Sequence, residues 1–75
     1  PPRRRIVRTI YQLSVKGNFN IPQLVILCYT SHQTVKRAVQ RLIDNGYAVL
    51  VVDGKPQQYR MTDSGIAAFG NIEQP

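Results

Sequence analysis

Five polar side chains within one short segment could together form hydrogen bonds or ionic contacts with a ligand: Gln33, Thr34, Lys36, Arg37 and Gln40. At about 100° per residue of α-helix, most of them gather on one side, opposite the apolar residues between Val35 and Ile43. Arginine and lysine can donate to guanine O6 and N7, and glutamine can pair with adenine N6 and N7. Such a face is suited to reading base edges in DNA, and the alternative is an ordinary solvated helix face.

The formal net charge of +6 is distributed unevenly along the chain. Residues 1–43 contain eight arginines and lysines and no acid, a local charge of +8, whereas residues 44–75 contain two bases and four acids, a local charge of −2. Charge that only keeps a protein soluble would mix the signs, and a block of one sign attracts a polyanion. The distribution favours a nucleic acid partner, with a merely basic surface as the alternative.

Residue types give little support to catalysis or metal binding. The chain has one cysteine, Cys28, one histidine, His32, and four separated acids, whereas a metal site needs three or four ligands. A Ser–His–acid triad would have to use His32 at a helix start, and no glycine-rich phosphate loop is present. We therefore expect no enzyme activity and no metal or cofactor. Cys28 is expected to be a small core residue.

Length and composition restrict the class of protein further. Seventy-five residues provide one domain with a small core, and a single cysteine excludes an internal disulfide and favours a reducing compartment. The apolar run at residues 48–52 is too short to span a bilayer, and no secretory signal pattern is present. We expect a single domain over residues 1–75, with an ordered core of about residues 4–70 and looser ends. We expect it in the cytoplasm, associated with the nucleoid if its source is bacterial.

Hydrophobic spacing predicts three helices in the first half of the chain. The first covers about residues 3–16, where Ile6, Ile10 and Leu13 recur at helical spacing. The second follows a short extended piece at residues 19–21, is capped by Asn20, and ends near residue 29. The third covers about residues 32–45, is capped by Ser31, and ends through a left-handed turn at residues 45–46. In the second helix, the residues predicted to be largely buried are Leu24, Val25, Leu27 and Cys28.

A β-hairpin is predicted after the third helix, with strands at residues 47–52 and 58–62. Tyr59 and Met61 form the apolar face of the return strand, so Tyr47, Val49 and Val51 are expected to share that face. This parity requires a loop with an odd number of residues, either 53–55 or 53–57.

A short last helix is predicted from Asp63 to about Phe69, capped by Thr62 and ended by Gly70. All four tyrosines have plausible core roles in this scheme: Tyr11, Tyr29, Tyr47 and Tyr59. RNA binding, which favours exposed aromatic side chains for stacking, therefore ranks last among the nucleic acid alternatives.

The second and third helices form a helix-turn-helix, and three motifs make the chain resemble a winged helix domain, most like the core of MarR-type bacterial regulators. The motifs are SHQTV at residues 31–35, RLIDNGY at residues 41–47 and YRMTDSG at residues 59–65. The resemblance covers about residues 5–69. It implies an α+β, mainly α, winged helix fold, with a three-helix helix-turn-helix core, a two-stranded hairpin wing and a short C-terminal helix.

The resemblance also implies functional roles. The base-reading or phosphate-contacting positions of the third helix fall on Gln33, Thr34, Lys36, Arg37 and Gln40. Ser31 falls at a phosphate-contacting cap, and Lys55 at the wing tip, which here has one basic residue in place of the usual arginine pair. Further contacts to the DNA backbone are expected from Arg4, Arg5, Arg8, His32, Arg41 and Arg60.

We predict sequence-specific binding of double-stranded DNA through residues 32–45 in the major groove, by a transcriptional regulator or the DNA-binding domain of a larger protein. One alternative is the same module in a replication, partition or recombination protein. Another is a winged helix that docks partner proteins, which would expose apolar residues or mixed charge on the third helix. A homodimer or a partner within a longer parent protein remains open, because the long helices that dimerise MarR-type proteins are absent from this sequence.

Overall fold

The computed structural model describes residues 2–73 and the side chains of residues 4–70. The ends expected to be loose, residues 1–3 and 71–75, lie outside the residues whose side chains are described. In chain order the elements are α1 (Pro2–Lys16), α2 (Ile21–Cys28), α3 (His32–Asp44), β1 (Ala48–Val52), β2 (Gln58–Met61) and α4 (Asp63–Glu73). None of the helices in the described part is long and apolar enough to cross a membrane.

The core lies where the helical stripes of α1, α2 and α3 meet the hairpin. Its fully buried large side chains are Ile6, Ile10, Phe19, Leu24, Val35 and Val39. The predicted inner face of α3 is confirmed, since Val35, Val39 and Leu42 are buried and Ala38 is half-buried. Cys28 is a buried core residue, as expected.

Local hydrogen bonds fix where α2 and α3 begin, as the capping residues predict. The Gln23 N–H donates to Asn20 Oδ1 at 2.8 Å, and the Asn20 N–H donates to Gln23 Oε1 at 3.3 Å. At the start of α3 the Thr34 N–H donates to Ser31 Oγ at 3.1 Å. α3 ends at Asp44, and Gly46, with φ of 77°, makes the left-handed turn into the hairpin.

The two strands pair antiparallel, with Ala48 opposite Met61, Leu50 opposite Tyr59 and Val52 opposite Gln58. The five-residue loop at 53–57 is therefore confirmed. The predicted strand face is wrong, because Ala48 and Leu50, not Val49 and Val51, share the face of Tyr59 and Met61.

A register shift between Leu50 and Val52 explains this error. One extra residue in a strand inverts the parity of every position before it, so an odd loop no longer implies odd partners. Tyr47 precedes β1 and packs on α4 instead, where its ring meets the Phe69 ring edge-on at 5.3 Å. β2 also pairs with the extended piece before α2, where Phe19 and Tyr59 exchange two backbone hydrogen bonds of 2.8 Å.

Two core predictions on α2 and its turn are wrong: Leu27 is 49% exposed and Tyr29 is 90% exposed. Residues 24–28 are all apolar, and an eight-residue helix that packs on one side can bury only part of such a run. The predicted end of α4 at Gly70 is also wrong, since the helix continues to Glu73. A single glycine is tolerated inside a helix, and Gly70 lies against the ring of Tyr11.

Candidate nucleic-acid interface

The side chains predicted to read bases lie together on the outer face of α3. Gln33, Thr34, Lys36, Arg37 and Gln40 are all exposed. Burial of Val35 and Val39 fixes the rotation of α3 and thereby turns this polar face to solvent. Arg41, one of the predicted backbone contacts, is exposed on the same helix.

Hydroxyl groups gather at the N-terminal end of α3. The Ser31 and Thr34 side-chain oxygens lie 2.8 Å apart and share a hydrogen bond, in which either can be the donor. His32 is the first residue of α3 and is exposed. A helix N-terminus carries a partial positive charge, so these polar groups lie in a place that favours an anion.

An acid restricts part of the α3 face. The Gln40 Nε2 amide donates to Asp44 Oδ1 at 2.9 Å, which holds the Gln40 side chain along the helix axis. Asp44 also lines the cleft between α1 and α3, of about 510 Å³, together with Arg37 and Arg41. The basic character of α3 is therefore strongest toward its N-terminal half.

The end of the wing loop lies beside α3. A groove of about 260 Å³ separates them, and the side chains that line it include His32, Lys36 and Gln40 of α3 and Pro56 and Gln57 of the loop. Lys55 is exposed in this loop. The structure thus places the loop residues that directly follow Lys55 against the predicted reading helix.

Hydrogen bonds brace the wing loop from the core. The hydroxyl of Tyr59 donates to Gln57 Oε1 at 3.0 Å, and Gln57 Nε2 donates to Asp53 Oδ1 at 2.8 Å. Because Tyr59 is buried, this chain links the loop that carries Lys55 to the core. Sequence spacing did not indicate a role for Gln57, because side-chain conformations within a loop do not follow from spacing.

The remaining predicted backbone contacts lie elsewhere. Arg60 is opposite Val49 and lines a third cleft, with Ser14 and Ile66 of α1 and α4. The structure does not bring it to the α3 face. Arg4, Arg5 and Arg8 are exposed along α1, whose Ile6 lines the cleft with α3.

Metal chemistry has no support in the described part of the chain, where no three His, Cys, Asp or Glu side chains are grouped as ligands. The chemistry that the arrangement offers is hydrogen-bond donation and positive charge. Both come from α3, its N-terminal turn and the neighbouring wing.

Three helices, a turn between α2 and α3, and a hairpin that projects beside α3 define a winged helix-turn-helix domain. Comparison with known proteins finds no matching family model and no matching curated protein. Solved structures do match. A MarR family transcriptional regulator from Silicibacter pomeroyi superposes with a TM-score of 0.73 at 25% identity, over 95% of this chain and 47% of that chain.

Two further structures agree. Wild-type MarR from E. coli, in its apo form, gives a TM-score of 0.78 at 15% identity, over 96% of this chain and 53% of that chain. A protein from Archaeoglobus fulgidus gives 0.83 at 21% identity, over 95% of this chain and 79% of that chain. The predicted winged helix fold and its likeness to the MarR core are confirmed. The chain spans about half the length of the two MarR structures.

Proposed function

We propose that this chain is the DNA-binding domain of a transcriptional regulator, with α3 in the major groove of duplex DNA and the wing loop on the flanking backbone. The observation that carries the proposal is the exposed face of basic and amide side chains on α3. The wing loop, which is held by hydrogen bonds and exposes Lys55, lies next to it. The major groove admits an α-helix, and the N-terminal residues of a reading helix reach base edges.

Roles follow from position along α3. Gln33 and Arg37 lie within its first two turns and are the base readers, with Lys36 and Gln40 beside them. Ser31, His32 and Thr34 lie at its N-terminal end, where phosphates approach. Arg4, Arg5, Arg8 and Arg41 contribute to backbone contact and to the field that attracts DNA.

The rival, a module that docks partner proteins, is less favoured. It requires apolar side chains or mixed charge on α3, whereas among the described residues the exposed large apolar side chains lie on α1, α2, the turn after α2 and β1. The similarity to regulators supports DNA binding as well, although the same fold serves other DNA-binding proteins.

Salt dependence tests the proposal. With about four to six phosphates neutralised, log K for duplex DNA should fall with log salt at a slope of about −4 to −5. The measurement is a fluorescence anisotropy titration at several salt concentrations, with single-stranded DNA as the control. Affinity that stays flat between low and physiological salt, or that is higher for the single strand, contradicts the proposal.

Arg37→Ala should distinguish recognition of base edges from sequence-independent contact with the DNA backbone. We expect it to cost about 1–3 kcal/mol on a cognate duplex, selected from a random library, and much less on a scrambled duplex. The measurement is a pair of titrations at fixed salt. Lys16→Ala is the matched control, because it removes one positive charge at the end of α1, outside α3 and the wing loop. An equal loss on both duplexes for Arg37→Ala would reduce α3 to an electrostatic clamp.

Lys55→Ala should weaken cognate and scrambled duplexes alike, because a wing-tip amine meets the backbone rather than the bases. The salt slope should become shallower by about one unit, as one phosphate contact is lost. Titrations at two salt concentrations measure both effects. A loss confined to the cognate duplex would instead make Lys55 a base-reading residue.

A further inference from the structure

Among the residues whose side chains are described, Tyr29 is the most exposed of the large apolar and aromatic ones, at 90%, and lies in the turn between α2 and α3. Its backbone is left-handed, with φ of 51° and ψ of 50°, and its N–H donates to the carbonyl oxygen of Val25 to close α2. Its hydroxyl makes no hydrogen bond within the described residues.

A tyrosine at this position does not help the fold. A side chain with a Cβ disfavours the left-handed conformation, and glycine is the usual residue at such a helix end. A ring that is 90% exposed also gains almost no stabilisation from burial. Local conformation and packing therefore both favour a smaller residue, and the described part of the chain gives the phenol no partner of its own.

The surroundings of Tyr29 indicate the chemistry of that partner. One residue separates it from Ser31, so the two residue steps span at most about 7 Å and Tyr29 lies close to the N-terminal end of α3. Residues 1–43 carry eight positive charges and no acid, which favours a polyanion. A phenol hydroxyl is a hydrogen-bond donor for phosphate oxygens, and half or more of the hydrogen bonds between proteins and DNA go to the backbone.

We propose that the Tyr29 hydroxyl donates a hydrogen bond to a backbone phosphate of bound duplex DNA, beside the N-terminal end of α3. The inference rests on the proposed function and extends its contact surface to the helix-turn-helix turn. The exposed neighbours Ile26 and Leu27 would instead suit contact with a protein, such as a second copy of this chain, and the experiment distinguishes the two partners.

The experiment uses Tyr29→Phe and Tyr29→Gly, titrated with a short duplex of arbitrary sequence at low salt, because a phosphate contact is independent of sequence. Both variants should lose about tenfold in affinity, the range of a hydrogen bond to a charged group. The Tm of Tyr29→Phe should not change. The Tm of Tyr29→Gly should stay the same or rise, since glycine relieves the left-handed conformation. Ile26→Ala, one turn earlier on α2, is the control and should bind like the wild type.

Each other outcome overturns the inference. If the wild type binds and Tyr29→Phe binds equally well, the hydroxyl makes no contact and the proposed function stands. If only Tyr29→Gly loses affinity for the duplex, the ring makes the contact and the hydroxyl does not. If the Tm of Tyr29→Phe falls, its loss of affinity reflects a damaged fold. If Tyr29→Gly abolishes self-association in sedimentation without changing DNA affinity, the partner is a second copy. A wild type that binds no duplex overturns both proposals.

Discussion

Leu42→Ala should lower the free energy of unfolding by about 2–5 kcal/mol. Leu42 is 5% exposed on the inner face of α3, and its carbonyl oxygen accepts the Tyr47 N–H at 2.8 Å where the chain turns into the hairpin. Truncation removes buried apolar contacts and leaves a cavity that close-packed neighbours fill only partly. A domain of this size has about 4–11 kcal/mol of stability in total, so the loss is a large share of it.

Urea unfolding followed by circular dichroism measures this loss, and Leu50→Ala is the matched control. Leu50 is the same residue type at 44% exposure on β1, so the same deletion should cost far less there. Equal losses of unfolding free energy at the two positions would mean that α3 does not pack on the core through its inner face. The polar face of α3 would then have no fixed direction, and the proposed interface would fail with it.

Helices could be predicted from this sequence because their signals are local. Ile6 and Ile10, or Val35 and Val39, repeat at the spacing of one helix face, and both are buried as that spacing requires. The caps at Asn20 and Thr62 depend on hydrogen bonds within three residues, so the sequence contains both partners.

The hairpin register could not be predicted because its determinants are not local. Residues 47–52 are all apolar, so no polar side chain marks the face that meets solvent. The register shift after Leu50 is a property of the paired strands. Tyr29 shows the same limit, since its exposure follows from a turn that directs it away from the core.

The candidate site divides in the same way. The exposure of Lys36 and Arg37 follows from the spacing of their buried neighbours on α3, and the structure agrees. The brace through Gln57 and the pairing of Gln40 with Asp44 depend on side-chain conformations that spacing does not specify. Arg60 alternates with the buried Tyr59 and Met61, so its exposure follows from strand parity, whereas the cleft that it lines with Ser14 and Ile66 depends on tertiary packing.

Gly65→Ala should lower the free energy of unfolding by about 1–3 kcal/mol, against the local preference for alanine in a helix. A Cβ at this position would overlap the carbonyl oxygen of Tyr47, which accepts the Thr62 N–H at 3.0 Å. The Thr62 hydroxyl also donates to the Gly46 carbonyl oxygen at 2.7 Å and accepts the Gly65 N–H at 3.1 Å. Any backbone shift that relieves the overlap must therefore disturb the hydrogen bonds that join the start of α4 to the turn after α3.

Gly70→Ala, in the same helix, is the control for propensity. A Cβ there would lie 3.4 Å from the hydroxyl oxygen of Tyr11, the far end of a side chain that can move. This variant should gain up to about 1 kcal/mol from helix propensity, so the two variants should differ by about 1–4 kcal/mol in urea unfolding. If both alanines stabilise the domain, α4 does not pack closely on the Tyr47 backbone. The wing would then be held less firmly. The hydrogen bond from the Thr62 N–H to the Tyr47 carbonyl joins the start of β1 to the end of β2, the strand ends away from the wing loop.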